Sequence, residues 1–434
     1  MLQLPTPVLH ALERITSAGY EAFVAGGCVR DALLGREPHD FDIASSARPD
    51  QLLDVFEGCR VIETGLQHGT VTVLLSGMPI EITTYRGEDG AFAQTLPEDL
   101  CRRDLTINAM AYHPQKGLQD PFHGQEDLQK GLIRCTGDAN ERILEDPLRM
   151  LRAARFASVL GFKIHPDTQA AMDKHRALLQ NVSVERLASE LVKLLCGKDV
   201  RRVLMEQIRL IGAFMPEALP MEGFQQHNRH HIYDVLEHTA AVVESIPAEP
   251  ILRLAAFLHD IGKPPCFQIR EDGQGHFYGH AQKSTEMAEA ILARLKTDNF
   301  TRERVTLLVK YHDMLIDPSP KAVKRLLAKM GVEAFDQLIW LKRADNMGQS
   351  PDLRHRQDYL DGVCAIRDMV LAQSQCFSLK DLALNGRDLM QMGMKPGPEI
   401  GKTLEMLLDQ VISDEVKNER EALLAYWNKR RAQA

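Results

Sequence analysis

Apolar positions in the first hundred residues change period several times, and each change marks an element. Residues 5–18 carry apolar side chains at helical spacing and predict an amphipathic helix beside the first strand. The apolar run Phe23-Val24-Ala25 leads into Gly26-Gly27, after which Val29, Ala32 and Leu33 recur at helical spacing around Arg30 and Asp31, predicting strand, tight turn and helix. Asp40-Phe41-Asp42-Ile43-Ala44 alternates, so a strand there puts Asp40 and Asp42 on one face and Phe41 and Ile43 toward the core. Two more strand-like runs, VTVLL and PIEITTY, are joined by Ser76-Gly77, a hairpin turn. From about residue 141 the pattern is almost wholly helical, the breaks from Gly212 to Gly223 suggest a linker, and a last amphipathic helix reaches Trp427.

A chain of 434 residues is long for one core and implies two to four domains. Its 44% hydrophobic and 26% charged content is that of a soluble globular protein. The cysteines at 28, 59, 101, 135, 196, 266, 364 and 376 form no C-x-x-C pair, which fits reduced intracellular thiols better than a disulfide framework or a cysteine zinc site. MLQLPTPVLHALERI has neither a basic start nor a long apolar run, and no later stretch is apolar enough for a span, so a cytoplasmic protein with no membrane partner is expected. A formal net charge of −8 argues against indiscriminate nucleic-acid binding and leaves room for a local basic groove.

The chemistry concentrates in four stretches. Glycine lets backbone N–H groups approach a phosphate, so Gly26-Gly27 with the following helix and Arg30 is a candidate triphosphate seat. Two carboxylates on one strand face, Asp40 and Asp42, suit Mg²⁺, an oxygen-seeking cation that also ligates substrate phosphates. Glu81 alternates with Ile80 and Ile82 and is either a third metal carboxylate or half of a cross-strand salt bridge. Arg103, Asp104 and Asn108 form a polar cluster among small apolar residues, as in a packed segment that presents a few groups to a ligand. In EDPLRMLRAARFA, Pro147 suits the first helical position and makes Asp146 an N-cap; Asp146 and Arg149, one turn apart, can also meet and offer an acceptor and a two-pronged donor to a base edge. Steps of three along a helix drift by roughly 60°, so Arg152 reaches the same side while Arg155 needs bending or another partner. Ser183-Val-Glu-Arg186-Leu-Ala-Ser-Glu190 reads as a capping sequence opening a further helix.

GG-x-VRD-x-LLG followed by D-x-D resembles the signature of class II tRNA nucleotidyltransferases and bacterial poly(A) polymerases. TG-x-x-HGTV at 64–71 resembles the tRNA enzymes more than the poly(A) polymerases, and the resemblance runs from end to end of the chain. It implies an α+β protein: a polymerase-β-like nucleotidyltransferase head around a small mixed sheet over 1–140, then all-α neck and body for nucleotide selection and RNA binding over 141–223, an HD domain over 224–350, and a helical tail over 351–434 that holds the tRNA elbow. It also implies roles. Asp40, Asp42 and Glu81 hold Mg²⁺; Gly26, Gly27, Arg30, Arg103, Arg152 and Arg155 grip the triphosphate; Asp104 and Asn108 sense the ribose hydroxyls; Asp146 and Arg149 select CTP or ATP by Watson–Crick-like bonds. The segment at 120–127 resembles the family's hinge motif.

A second constellation, His238, His259-Asp260, His280, His312 and Asp345, follows the H…HD…H…H…D order of HD-domain phosphohydrolases. That resemblance implies one or two divalent ions, transition metal or Mg²⁺, that activate water. One departure stands out: the segment Tyr85–Asp99 is shorter than the flexible loop of CCA-adding relatives and lacks a D-x-R-R-P-like stretch. Loss of that loop is characteristic of CC-adding enzymes that leave the terminal A to a separate A-adding enzyme. The expected activity is addition of C residues, CC and at most CCA, to tRNA from CTP and ATP. The alternatives are an HD phosphohydrolase acting on RNA 3′ ends or 2′,3′-cyclic phosphates, a poly(A) polymerase, and a non-catalytic RNA-binding protein.

Overall fold

The computed structural model describes residues 2–38, 40–62, 65–66, 69–87, 91–227, 232–271, 273–373 and 376–431. Thr64 and His68 of the TG-x-x-HGTV motif and residues 88–90 of the short segment lie outside them. The chain divides into two compact units, Met1–Pro216 and Glu217–Ala434.

The first unit opens with α1 (Thr6–Ser17), which buries Val8, Ala11, Leu12 and Ile15 at the anticipated helical spacing. Then come β1 (Ala22–Ala25), α2 (Gly27–Leu33), β2 (Asp42–Ser45), α3 (Pro49–Val55), β3 (Arg60–Ile62), β4 (Thr70–Leu75), β5 (Met78–Thr84), α4 (Leu96–Cys101), β6 (Ala111–His113) and β7 (Gly117–Gln119). The strands form one mixed sheet in the order β3-β4-β5-β2-β1-β6-β7. Only β2 and β5 run parallel among its neighbours. Their register sets Asp42 beside Glu81. Ser76 (φ 51°) and Gly77 (φ 81°) make the β4–β5 turn with two positive φ angles, matching the twist of the flanking strands. Phe41 and Ile43 are buried, as alternation requires.

Helices follow: α5 (Gly124–Lys130), α6 (Ala139–Glu145), α7 (Leu148–Leu160), α8 (Pro166–His175), α9 (Val184–Leu195) and α10 (Val200–Ile211). α7 packs on α9 and α10 and is the helix that carries charge to the sheet. Its Met150, Leu151, Ala153, Ala154 and Ala157 are buried, which fixes the opposite stripe toward the strand ends.

The second unit contains α11 (Val235–Ser245), α12 (Pro250–Leu258), β10 (Gln268–Ile269) paired with β11 (Gly275–His276), α13 (His280–Arg294), α14 (Asn299–Tyr311), α15 (Pro320–Gly348) and α16 (Arg356–Ala372). The short pair β8 (Leu132–Ile133) and β9 (Lys163–Ile164) belongs to the first unit. α15 is broken at Gly331, whose φ of 77° is outside helical space. α17 (Gly386–Gln391), α18 (Pro398–Ile412) and α19 (Arg420–Arg431) close the chain around Leu389, Leu407, Leu423 and Trp427. Among the described residues no helix is long and apolar enough to cross a membrane.

Candidate active site and a candidate metal centre

In the first unit, the ends of β1 and β2, the polar turn after α4 and the inner stripe of α7 enclose a cavity of about 390 Å³. Gly26 leaves β1 with φ +84°, and a Cβ there would meet Arg103 Nη1 at 2.6 Å, so only glycine fits. Asp42 stands at the start of β2; Asp40 lies just before the strand, not within it, and is exposed like Glu81. Burial raises the Asp42 carboxyl above its usual pKa, and the Glu81 and Asp40 charges raise it further. Of these three carboxylates only Asp42 lines the cavity, and among the described residues they do not gather into one close ligand group as the His and Asp residues of the second unit do.

The opposite rim is basic and internally braced. Arg30 donates through Nη1 to Asn108 Oδ1 (2.6 Å) and pairs with Asp31 (2.8 Å). Asn108 Nδ2 donates to Asp104 Oδ1 (3.0 Å), and Arg152 Nε donates to Asp104 Oδ2 (2.7 Å). Burial works against the Asp104 charge, yet the Arg152 guanidinium and the Asn108 amide hold its carboxyl below the usual range. Arg103 is held by Asp99 at 3.2 Å. On α7, Arg149, Arg152 and Phe156 line the cavity, while Arg155 is absent from that lining and is turned to Glu190 on α9 at 2.6 Å. That contact is a close ion approach without the alignment of a hydrogen bond, since both Arg155 Nε and Glu190 Oε2 lack an aligned partner. Phe156 is shared by three guanidiniums: Arg155 at 3.9 Å, Arg30 at 4.8 Å and Arg152 at 5.9 Å from the ring centroid.

The expected Asp146–Arg149 pair is not formed, although both residues line the cavity. Asp146 is extended (φ −146°, ψ 99°) before α7, so it is out of helical register with Arg149. Its Oδ1 accepts from Leu148 N (3.2 Å), which is the capping role, and its Oδ2 accepts from Arg186 on α9 (2.7 Å). Arg149 instead donates to Glu145 (2.8 Å) and to the carbonyls of Arg142 (3.0 Å) and Arg102 (2.8 Å). The stretch 183–190 does open a helix, but the Ser183 side chain makes no cap. Its charged residues Arg186 and Glu190, one turn apart, serve the cavity. Asp99, Arg102 and Phe156 also line the cavity, and Arg186 and Glu190 pair with residues beside it; the i,i+4 spacing of opposite charges on α9 is a sequence signal for the last two alone.

In the second unit six predicted residues converge. His238 on α11, His259 and Asp260 just after α12, and Asp345 on α15 form one group; Asp260, His280 at the start of α13 and His312 just after α14 form another. Every imidazole Nδ1 faces a backbone carbonyl: Gly348 (3.1 Å), Ala256 (2.7 Å), Phe277 (2.9 Å) and Val309 (2.7 Å). This fixes Nδ1 as the protonated nitrogen and turns each Nε2 lone pair inward. The Nε2 atoms meet in pairs at 3.3 Å, His238 with His259 and His280 with His312. Asp260, 1% exposed, lies between them with contacts of 3.0 to 3.6 Å and no aligned donor on either oxygen among the described residues. Facing lone pairs around a buried carboxylate suit one or two divalent cations.

Similarity to known proteins accords with this geometry. The family model described as "Poly A polymerase head domain" matches residues 22–134, and a model of domain 2 of tRNA nucleotidyltransferases matches 276–427. The chain is similar to the CCA-adding enzyme of Latilactobacillus sakei, 34% identical over 96% of each chain, and to that of Levilactobacillus brevis, 35% identical over 98% of this chain and 96% of the other. Among solved structures it resembles the Bacillus stearothermophilus CCA-adding enzyme in complex with CTP, with a TM-score of 0.74, 28% identity and 99% of both chains covered. The Thermotoga maritima CCA-adding enzyme complexed with tRNA shares the fold, with a TM-score of 0.60 at 21% identity, covering 98% of this chain and 96% of that one.

Proposed function

The chain belongs to the CCA-adding enzymes and is a tRNA nucleotidyltransferase, and from that premise we propose that its head cavity binds CTP and passes the cytidylyl group to a tRNA 3′-hydroxyl. The observation that carries the reading is a single cavity lined by Gly26, Gly27 and Asp42, by Arg30, Arg103 and Arg152, and by Asp146 with Arg149. We assign Mg²⁺ to Asp42 on the cavity wall, with Glu81 beside it across the β2–β5 register and Asp40 just before the strand, since carboxylate oxygens suit that ion. When bound, the ion supplies activation of the 3′-hydroxyl and neutralises charge on the leaving pyrophosphate. Arg30, Arg103 and Arg152 hold the triphosphate so that the 3′-oxygen attacks the α-phosphorus in line; the P–O bond to the β-phosphate breaks and pyrophosphate departs. Gly26 and Gly27 let the backbone approach the phosphates. Asp104 and Asn108, already joined to each other, meet the ribose. Asp146 and Arg149 read the base once released from Arg186 and Glu145.

The product we assign is a tRNA ending in CC, with the terminal A left to a separate A-adding enzyme. What supports this is the shortness of the segment after β5, with its described flanks held together: Gly87 N donates to Ala91 O (2.8 Å), Ala93 N to Tyr85 O (2.8 Å) and Arg86 N to Asp99 Oδ1 (2.9 Å). The second reading, full CCA addition by this chain, is favoured by the printed names of the relatives. The helical neck, HD region and tail, divided at about 140, 223 and 350, hold tRNA by shape and backbone. The scattered free thiols support a cytoplasmic enzyme. We assign the His/Asp centre divalent metal and phosphate-ester hydrolysis, and its four imidazoles favour a transition metal over Mg²⁺. Asp42→Ala tests the head: C addition falls at least a thousandfold while tRNA still binds, and an active variant would remove Asp42 from the chemistry.

A further inference from the structure

Among the described residues six arginines line the head cavity, and five of them have an acidic partner. Arg30 pairs with Asp31 at 2.8 Å, Arg103 with Asp99 at 3.2 Å, Arg152 with Asp104 at 2.6 Å, and Arg102 and Arg149 with Glu145 at 2.6 and 2.8 Å. The sixth, Arg86, has an exposed side chain whose guanidinium makes no hydrogen bond or ion pair among the described residues. Its backbone is fixed all the same. Arg86 N donates to Asp99 Oδ1 (2.9 Å), and the other oxygen of that buried carboxylate holds Arg103. Tyr85, the residue before it, is fully buried, with its N bonded to Ser45 O at 2.8 Å. A rooted backbone that carries an unengaged guanidinium to the wall of a reaction cavity is the arrangement of a ligand contact. Burial raises the Asp42 carboxyl, and the Arg103 and Arg86 charges work against that rise, so Arg86 lies within electrostatic reach of the carboxylate at which the 3′-hydroxyl must arrive.

Bracing separates Arg86 from the arginines assigned to the triphosphate. Arg30, Arg103 and Arg152 are partly buried and held from behind by carboxylates, as suits a small ligand enclosed by the cavity. Arg86 is open to solvent and unbraced, which suits a polyanion that arrives from outside. A tRNA end that brings its 3′-hydroxyl to Asp42 carries its last internucleotide phosphate one nucleotide behind, and a guanidinium meets such a phosphate with two parallel N–H donors. We propose that Arg86 binds the last internucleotide phosphate of the tRNA and so aligns the 3′-hydroxyl for attack, a contact to the acceptor strand and not to CTP. The inference rests on the head-cavity reading given above.

Full-length Arg86→Gln and Arg86→Lys are compared with the native chain in steady-state addition of C to tRNA lacking its 3′ end. Arg86→Gln should raise the KM for tRNA about ten- to a hundredfold, the range for loss of one hydrogen bond to a charged group, with the KM for CTP unchanged. Arg86→Lys, which keeps the charge and loses the fork, should fall between. A tRNA whose last internucleotide linkage is a neutral methylphosphonate should cost the native chain the same factor and cost Arg86→Gln nothing further. In equilibrium binding, the slope of log K against log salt should be shallower by about 0.7 in Arg86→Gln, the share of one phosphate on a single strand. A raised KM for CTP, an unchanged KM for tRNA, or a methylphosphonate penalty that persists in Arg86→Gln overturns the inference while leaving the activity of the head cavity standing. A native chain that adds no C to tRNA overturns the activity itself and this inference with it.

Discussion

Replacing Glu190 by Gln removes one charge from the most crowded ionic group in the head. Arg155 and Glu190 face each other at 2.6 Å with side-chain exposures of only 15% and 7%, so solvent screens them little. Burial holds the Arg155 guanidinium below its usual pKa, and Arg152 and Arg30 beside it act in the same direction against the pull of Glu190. Removing one partner of a buried pair costs about 3–5 kcal/mol. The lower end applies here, because Gln retains an acceptor oxygen and Arg155 keeps the Phe156 face at 3.9 Å. About 3 kcal/mol in a unit the size of Met1–Pro216 corresponds to a melting shift of roughly 6–12 °C. The excess positive charge left in Glu190→Gln should then be met by the triphosphate. CTP at 100 times its Kd stabilises any single-site binder by about 2.7 kcal/mol, and at the same free concentration the variant's melting shift should exceed that of the native chain. Differential scanning fluorimetry with and without CTP reads both quantities. A loss under about 1 kcal/mol, or a CTP shift no larger than native, would refute the view that Glu190 keeps three clustered arginines in place for a triphosphate.

Gly26→Ala forces an L-residue to φ +84° and a Cβ to 2.6 Å from Arg103; the strain, about 1–3 kcal/mol, should appear as a lowered melting temperature with a raised KM for CTP. Arg186→Ala removes the 2.7 Å partner, on a half-exposed side chain, that must release Asp146 before the base is read; loss of a competing charge-assisted hydrogen bond of about 1.5 kcal/mol should lower the KM for CTP by up to about tenfold, measured in steady-state extension assays. Because the folded Asp104 carboxyl is held below its unfolded value of about 3.9, its contribution to stability is complete above that pH and fades as pH falls through the folded pKa; Asp104→Asn should flatten the acid limb of the melting profile below pH 4 and leave the slope at pH 6–8 unchanged.

What could be read from one dimension was local. The Gly26 turn, the β4–β5 hairpin at Ser76-Gly77 and the buried alternation of Phe41 and Ile43 follow from backbone freedom and from side chains alternating across a strand, and each stands as expected. The six His and Asp residues of the second centre were legible through their H…HD…H…H…D order, which resembles that of HD-domain phosphohydrolases, and the structure brings them together. Asp146 and Arg149 show the limit. Their spacing is right for a pair, but an extended residue before a helix is not in that helix's register, and the stronger partner, Arg186, comes from forty residues away. Glu190 reads as part of a capping sequence, because the three guanidiniums that meet it and Phe156 arrive from two different helices.

The most direct measurement is extension of a radiolabelled tRNA lacking its 3′ end, with Mg²⁺ and CTP, ATP or both, resolved at single-nucleotide length. Two nucleotides added with CTP, and no third when ATP is also present, is the predicted result. A third nucleotide would place terminal A addition in this chain despite its short segment, and no extension under any condition would contradict the assignment of the head cavity to nucleotide transfer.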